Sequence, residues 1–171
     1  NYLSDEKEVK TTEEALAGAR DIIAEWINEN VEARDKIRNL FKREATVRSK
    51  VLRGKEEIGE KFKDYFDWEE NLMGCPSHRL LAIRRGEGEG VLSIFIAPPE
   101  DKALDILSAQ FVKYTNEASQ QVKLAVNDSY HRMMHSSIES EMRIMTKELA
   151  DEKAIQVFAD NLRELLLASP L

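Results

Sequence analysis

Through most of the chain, apolar residues recur at spacings of three and four, the pattern of one face of a helix. Ala15, Ala19, Ile22, Ile23, Trp26 and Ile27 form the first such stripe. Thr11 and Glu14 make an S/T-x-x-E capping box ahead of it, so the helix is predicted to start at Thr11, with residues 1–10 as a disordered lead. Asn28–Asn30 breaks the stripe, and a second helix is predicted from about Val31 to Ala45, burying Ile37, Leu40 and Phe41. In Lys55–Phe66, Ile58, Phe62, Tyr65 and Phe66 fall at i, i+4, i+7 and i+8, a third helical face. Pro76 and Ser77 open a short helix, His78–Arg85, that Gly86 can close.

Two runs break this rhythm. Thr46–Arg53 alternates Val47, Ser49 and Val51 against Arg48, Lys50 and Leu52, and Val91–Ile96 is β-branched and apolar between Gly90 and Pro98-Pro99. A period of two with β-branched residues predicts strands. Two strands are marginally stable alone, so they need helices to pack on. Beyond Pro99 the pattern is helical again. Its stripes are Leu104, Leu107, Phe111 and Tyr114, then Val122, Ala125, Val126, Ser129 and Met133. Ser136 with Glu139 makes a second capping box, for a helix carrying Ile138, Met142, Met145 and Leu149. Asp151 is placed to cap a last helix with Ile155, Phe158, Leu162, Leu165 and Leu166. The predicted fold class is mainly α: one irregular multi-helix domain over residues 1–171, with a small two-stranded β-ribbon pairing about 46–53 with 91–97.

The stretch between those strands carries long, unusual motifs. KEEIGEKFKDYF (Lys55–Phe66) fits K-E-x-x-G-x-K-F-x-D-Y-F, and PSHRLLAIRRGEGEGVL (Pro76–Leu92) fits P-S-H-R-x-L-A-x-x-R-G-x-x-E-G-V-L. With EALAGARDIIAE (Glu14–Glu25), SSIESEMR (Ser136–Arg143) and DEKAIQVFADNLRELLLASPL (Asp151–Leu171), these closely resemble bacterial transcription accessory proteins of the Tex family, in the right order over nearly the whole chain. The resemblance implies a segment of the family's N-terminal helical region, ending just before a domain of ribonuclease-H-like fold. In the family a helix-turn-helix part lies within that helical region, and helix-hairpin-helix motifs and an RNA-binding β-barrel follow the ribonuclease-H-like domain. The missing initiator Met and the stop at Pro170-Leu171 fit a piece of a longer protein.

Composition narrows the function classes. A chain of 171 residues, 42% hydrophobic and 33% charged, suits a soluble helix-rich protein. No apolar run approaches the roughly 18 residues of a membrane span. The polar, acidic first ten residues do not read as a signal peptide, and the single cysteine, Cys75, suits a reducing cytoplasm. The net charge of −7 argues against strong nucleic-acid binding by this piece alone, because counterion release rewards basic surfaces.

Residues 34–55 invert that charge locally. Arg34, Lys36, Arg38, Lys42, Arg43, Arg48, Lys50, Arg53 and Lys55 stand against Asp35 and Glu44 alone. Such a run attracts phosphate backbones. The plainer readings are a solvated helix face with a charged edge strand, or internal docking on acidic neighbours. The candidate nucleic-acid contacts are Arg43, Arg48, Lys50, Arg53 and Lys55, together with Arg79, Arg84 and Arg85 of SHRLLAIRRGEGEG. The glycines of that second run follow a helix and precede a strand, the reverse of a phosphate-cradling loop, so a tight corner is the expected role.

His131 and His135, at i and i+4 near Asp128 and Glu139, are the only arrangement suggesting a metal. The H-E-x-x-H pattern is absent, and Cys75 with His78 lacks a second cysteine, so no metal site and no cofactor is expected. No G-x-S-x-G elbow, P-loop or cysteine-nucleophile motif is present, so no enzyme activity is expected. Leu167 and Leu171 exceed what one helix face needs and are assigned to a domain interface. The leading expectation is a helical scaffold of a nucleic-acid-binding transcription accessory protein. It would position flanking domains that bind RNA or DNA, with a secondary basic surface. The alternatives are a docking module for the transcription machinery and, last, a metal-binding domain.

Overall fold

The structure, a computed structural model, describes residues 2–168, with side chains described for residues 5–168. Its element order is α1 (Tyr2–Glu29), α2 (Val31–Glu44), β1 (Thr46–Val51), a 3-10 helix (Glu60–Tyr65), β2 (Asp67–Asn71), α3 (Ser77–Gly88), β3 (Leu92–Ala97), α4 (Glu100–Phe111), α5 (Glu117–Ser129), a π-helical turn (Tyr130–Met134) and α6 (His135–Leu167). The chain divides into two compact units: residues 1–41 with 98–138, and residues 42–97 with 139–171. The mainly-α class holds.

The first unit is helical throughout. α1 starts at Tyr2 rather than Thr11, so residues 2–10, expected as a disordered lead, form its first turns; Asn1 lies outside the described residues. Thr11 does not cap. Its hydroxyl donates back to the carbonyls of Lys7 and Glu8, the local bonding a mid-helix threonine adopts. The inner face of α1 runs through Ala24 and Ile27, while Ile22 and Trp26 are exposed. α2 buries Ala33, Ile37, Leu40 and Phe41. Its N-cap is Asn30, whose Oδ1 accepts from Ala33 N at 2.9 Å. α5 is capped in the same way by Asn116, which accepts from Ser119 N at 2.9 Å. The small hydroxyl of Ser129, fully buried, donates to the Ala24 carbonyl at 2.8 Å and ties α5 to α1. The π turn places Tyr130 and Met134 in the core, and the rings of Phe41 and Tyr130 flank His135.

The second unit contains the sheet. β1 and β3 pair antiparallel, with Val47 opposite Ile96 and Val51 opposite Leu92. A third strand, β2, adds to the other side of β1, so the order is β2-β1-β3 and the expected two-stranded ribbon is a three-stranded sheet. β1 is therefore the central strand, not a charged edge. Lys55–Phe66 is not a regular helix: turns lead into the 3-10 helix, which buries Phe62 and leaves Ile58 exposed.

α3 runs past Gly86 to Gly88. Gly86 is not a stop but a point of close packing, since a Cβ there would lie 2.5 Å from Leu92 Cδ1. The turn into β3 is made by Gly90, at φ +72. Ser136 starts no new helix: its hydroxyl donates to the Met133 carbonyl, and α6 continues through it. Asp151 likewise sits inside α6, paired with Lys147 at 2.6 Å.

Candidate nucleic-acid interface

The strand alternation puts Arg48 and Lys50 on the outer face of the sheet, while Val47 and Ser49 point inward and are buried. Register then decides their neighbours. On the β2 side, Glu69 lies opposite Arg48 and Asp67 opposite Lys50. Arg48 donates through Nε and Nη2 to Glu69 Oε2, at 2.8 and 2.6 Å. On the β3 side, Phe95 lies opposite Arg48 and Ser93 opposite Lys50. The basic strand is thus partly neutralised by an acidic one, and its charge excess is smaller than the sequence count implies.

The other candidate cations divide in the same way. Arg79, near the start of α3, donates to both carboxylate oxygens of Glu70, at 3.1 and 3.2 Å. Arg85 is exposed and pairs with Glu89 one turn on, at 3.1 Å. Arg84 is half-buried and donates to the Arg143 carbonyl at 3.2 Å. Arg43, at the end of α2, is exposed, as are Lys50, Arg53 and Lys55; the last two flank Gly54, whose φ of +81 forms the turn after β1. Arg48, Lys50, Arg53 and Lys55 follow one another along β1 and the turn after it. Arg79, Arg84 and Arg85 are spread along α3, each committed to a different partner.

Sequence reasoning missed Arg143, the most engaged cation of this unit. Its Nη1 donates to Glu87 Oε1 and Oε2 at 2.9 and 3.0 Å, and its Nη2 donates to the Ile94 carbonyl. Glu139, one turn earlier on α6, accepts from Ile96 N at 3.1 Å. The edge groups of β3 at Ile94 and Ile96 are therefore met by an i, i+4 acid–base pair instead of being left to recruit another strand. The one available signal was the position of this pair in SSIESEMR.

Leu167 is exposed at the end of α6, and Leu171 lies outside the described residues. Ile155, Phe158, Leu162, Leu165 and Leu166, the apolar stripe expected of the last helix, are all exposed. His131 does not converge with His135 on a metal. Its Nδ1 contacts the Asn127 carbonyl at 2.9 Å and its Nε2 contacts Glu100 at 2.7 Å. The Asn127 carbonyl, with Glu100 behind it, raises the His131 pKa against the lowering effect of burial. Among the described residues, no group of three or more His, Cys, Asp or Glu is placed to hold a metal ion.

An open cleft of about 470 Å³ lies between the β2–α3 loop and α6, lined by Leu72, Met73, Cys75, Leu80, Leu149 and Lys153 among others. Burial, with Glu70 adding to it, pushes the Cys75 thiol up to about 11. At neutral pH the thiol stays protonated and is a poor nucleophile. Iodoacetamide labelling followed by intact-mass analysis should therefore be slow at pH 7.5 and accelerate steeply only as the pH climbs past about 10.

The description Tex central region-like matches residues 1–158. The chain belongs to that family. The transcriptional accessory protein Tex of Neisseria gonorrhoeae is 38% identical over 164 residues, which cover 91% of this chain and 21% of that protein. Protein YhgF of Escherichia coli is 36% identical over 181 residues, covering 99% of this chain and 23% of its own length. Human S1 RNA-binding domain-containing protein 1 is 26% identical over 185 residues, covering 98% of this chain and 18% of that protein. The chain thus spans less than a quarter of the length of these relatives. In this Tex-family chain, the Pro76–Leu92 motif builds α3 and its corner into β3, the structural role expected for it. No described helix is long and apolar enough to cross a membrane.

Proposed function

We propose that the chain is a helical scaffold segment of a Tex-like, nucleic-acid-binding transcription accessory protein. In this reading it holds flanking RNA- or DNA-binding parts of a longer polypeptide and offers only a secondary basic surface of its own. It is non-enzymatic, needs no cofactor or metal, and works in the cytoplasm. The names of two relatives, a transcriptional accessory protein and an S1 RNA-binding domain-containing protein, point the same way.

One observation carries the scaffold reading: half of the candidate cations, four of eight, are used internally. Arg48 is held by Glu69, Arg79 by Glu70 and Arg85 by Glu89, and Arg84 donates to a backbone carbonyl. Phosphate contacts at these positions would have to compete with bonds already made. Arg43, Lys50, Arg53 and Lys55 remain as the secondary surface.

Fluorescence anisotropy with labelled single-stranded RNA and duplex DNA tests this. Weak binding at low salt that disappears near physiological salt is expected, since a few phosphate contacts give a steep salt dependence. Affinity that survives near-physiological salt would overturn the scaffold reading and make this segment a primary contact.

A second reading, a protein-docking module, draws on one feature. The exposed residues Ile155, Phe158, Leu162, Leu165 and Leu166 share a face of α6 opposite to that of Met142, Thr146 and Ala150, which are buried. The occupant on this reading is a flanking part of the same longer polypeptide.

A further inference from the structure

We propose that the β1–β3 half of the outer sheet face is a stacking platform for an unpaired nucleotide strand, with Phe95 receiving a base and Lys50 a phosphate. This rests on the secondary basic surface above and names its ligand class.

Phe95 is the centre of the platform. It lies mid-strand on β3 and is 54% exposed, although strand burial could have placed it inward with Ile94 and Ile96. Its neighbours on the same outer face of β3 are Ser93 and Ala97, both small, so the ring has room on both sides along the strand. Directly across on β1 is Arg48, and one step along is Lys50, opposite Ser93. Arg48 is fixed in orientation by its two bonds to Glu69. Arg53 and Lys55, both exposed, flank the Gly54 turn that follows β1.

Ligand class follows from what this face offers. An aromatic ring on an open sheet beside cations matches the stacking mode for unpaired bases, each of which presents a π face. A duplex keeps its bases stacked on one another and cannot use the ring. A protein partner covering Phe95 would have to strip water from Lys50 and supply an acid in return. The acids Asp67 and Glu69 sit on β2, away from Phe95, and would repel a phosphate backbone there. They confine a bound strand to the β1–β3 half and keep its affinity low.

The test is anisotropy at low salt, using this chain with a labelled oligouridylate and a labelled duplex of equal length. The unpaired strand should bind more tightly than the duplex. Phe95→Ala should weaken oligouridylate binding by about tenfold, within the range for one stacked base, and leave duplex binding unchanged. Phe95→Trp should retain or tighten the former. Lys50→Glu should weaken both. Because both side chains are exposed, circular dichroism should show all three variants folded. If Phe95→Ala changes nothing while Lys50→Glu weakens binding, the stacking role falls and the basic surface stands. If the unsubstituted chain binds neither oligonucleotide, the basic surface falls and the platform with it. If Phe95→Ala alters self-association by light scattering while oligouridylate affinity is unchanged, the ring serves a protein contact and the proposal is overturned.

Discussion

Replacing Arg143 with alanine should lower the unfolding free energy by about 3 kcal/mol, the scale of losing charged hydrogen bonds from a half-buried network. The guanidinium joins α6 to Glu87 on α3 and to the Ile94 carbonyl on β3, and it lies beside Glu139. Its removal takes the cation from two carboxylates that are themselves largely sheltered, and one donor from an edge-strand carbonyl. Exposed ion pairs give about 1 kcal/mol or less, so the magnitude separates a structural node from a surface pair. Urea unfolding followed by circular dichroism measures it. Glu87→Gln should cost less than Arg143→Ala, because an amide can still accept one bond. A loss below about 1 kcal/mol for Arg143→Ala would mean that the edge of the sheet is held by packing instead.

The second large effect is expected at Gly59. A Cβ there would lie 2.1 Å from Val91 Cγ1 and 2.9 Å from the Lys55 carbonyl oxygen. Val91 is buried and the carbonyl is backbone, so neither can yield cheaply. Overpacking costs about 1–3 kcal/mol, and Gly59→Ala should fall at the upper end. Gly86→Ala is the informative comparison. There the Cβ meets Leu92 Cδ1 at 2.5 Å and Cγ at 2.9 Å, side-chain atoms only. Gly86 also lies inside α3, where alanine gains about 1 kcal/mol of helix propensity. Chemical denaturation should therefore rank Gly59→Ala as clearly the more damaging of the two.

The two strands of period two were legible because β-branched residues alternated with charged ones. β2 was not, since Asp67, Glu69, Glu70 and Asn71 are poor strand formers. It pairs because Glu69 and Asp67 oppose Arg48 and Lys50, a relation visible only once β1 has a partner on each side. The two capping boxes misled for one reason: threonine and serine in a helix interior can satisfy their hydroxyls on a preceding carbonyl. The stripe from Ile155 to Leu166 was read correctly as apolar, but periodicity reports that a face exists and not what covers it. The same limit applied to the candidate interface. The count of basic residues was legible, whereas their acidic partners are set by strand register and by helix neighbours.

The π-helical turn at Tyr130–Met134 bears on chain length rather than on residue type. Val126, Tyr130, Met134 and Ile138 are all buried at a strict spacing of four. In a regular α-helix each such step advances about 40° around the axis, and the line would drift toward solvent. The wider turn takes up part of that advance. Deleting one residue between Ser129 and His135 would let the turn rewind as ordinary helix with the later side chains near their present phase, because a π turn holds one residue more than an α turn. A one-residue gap within this turn therefore preserves the phase of α6, whereas the same gap in the regular part of α5 would rotate every later side chain by about 100°.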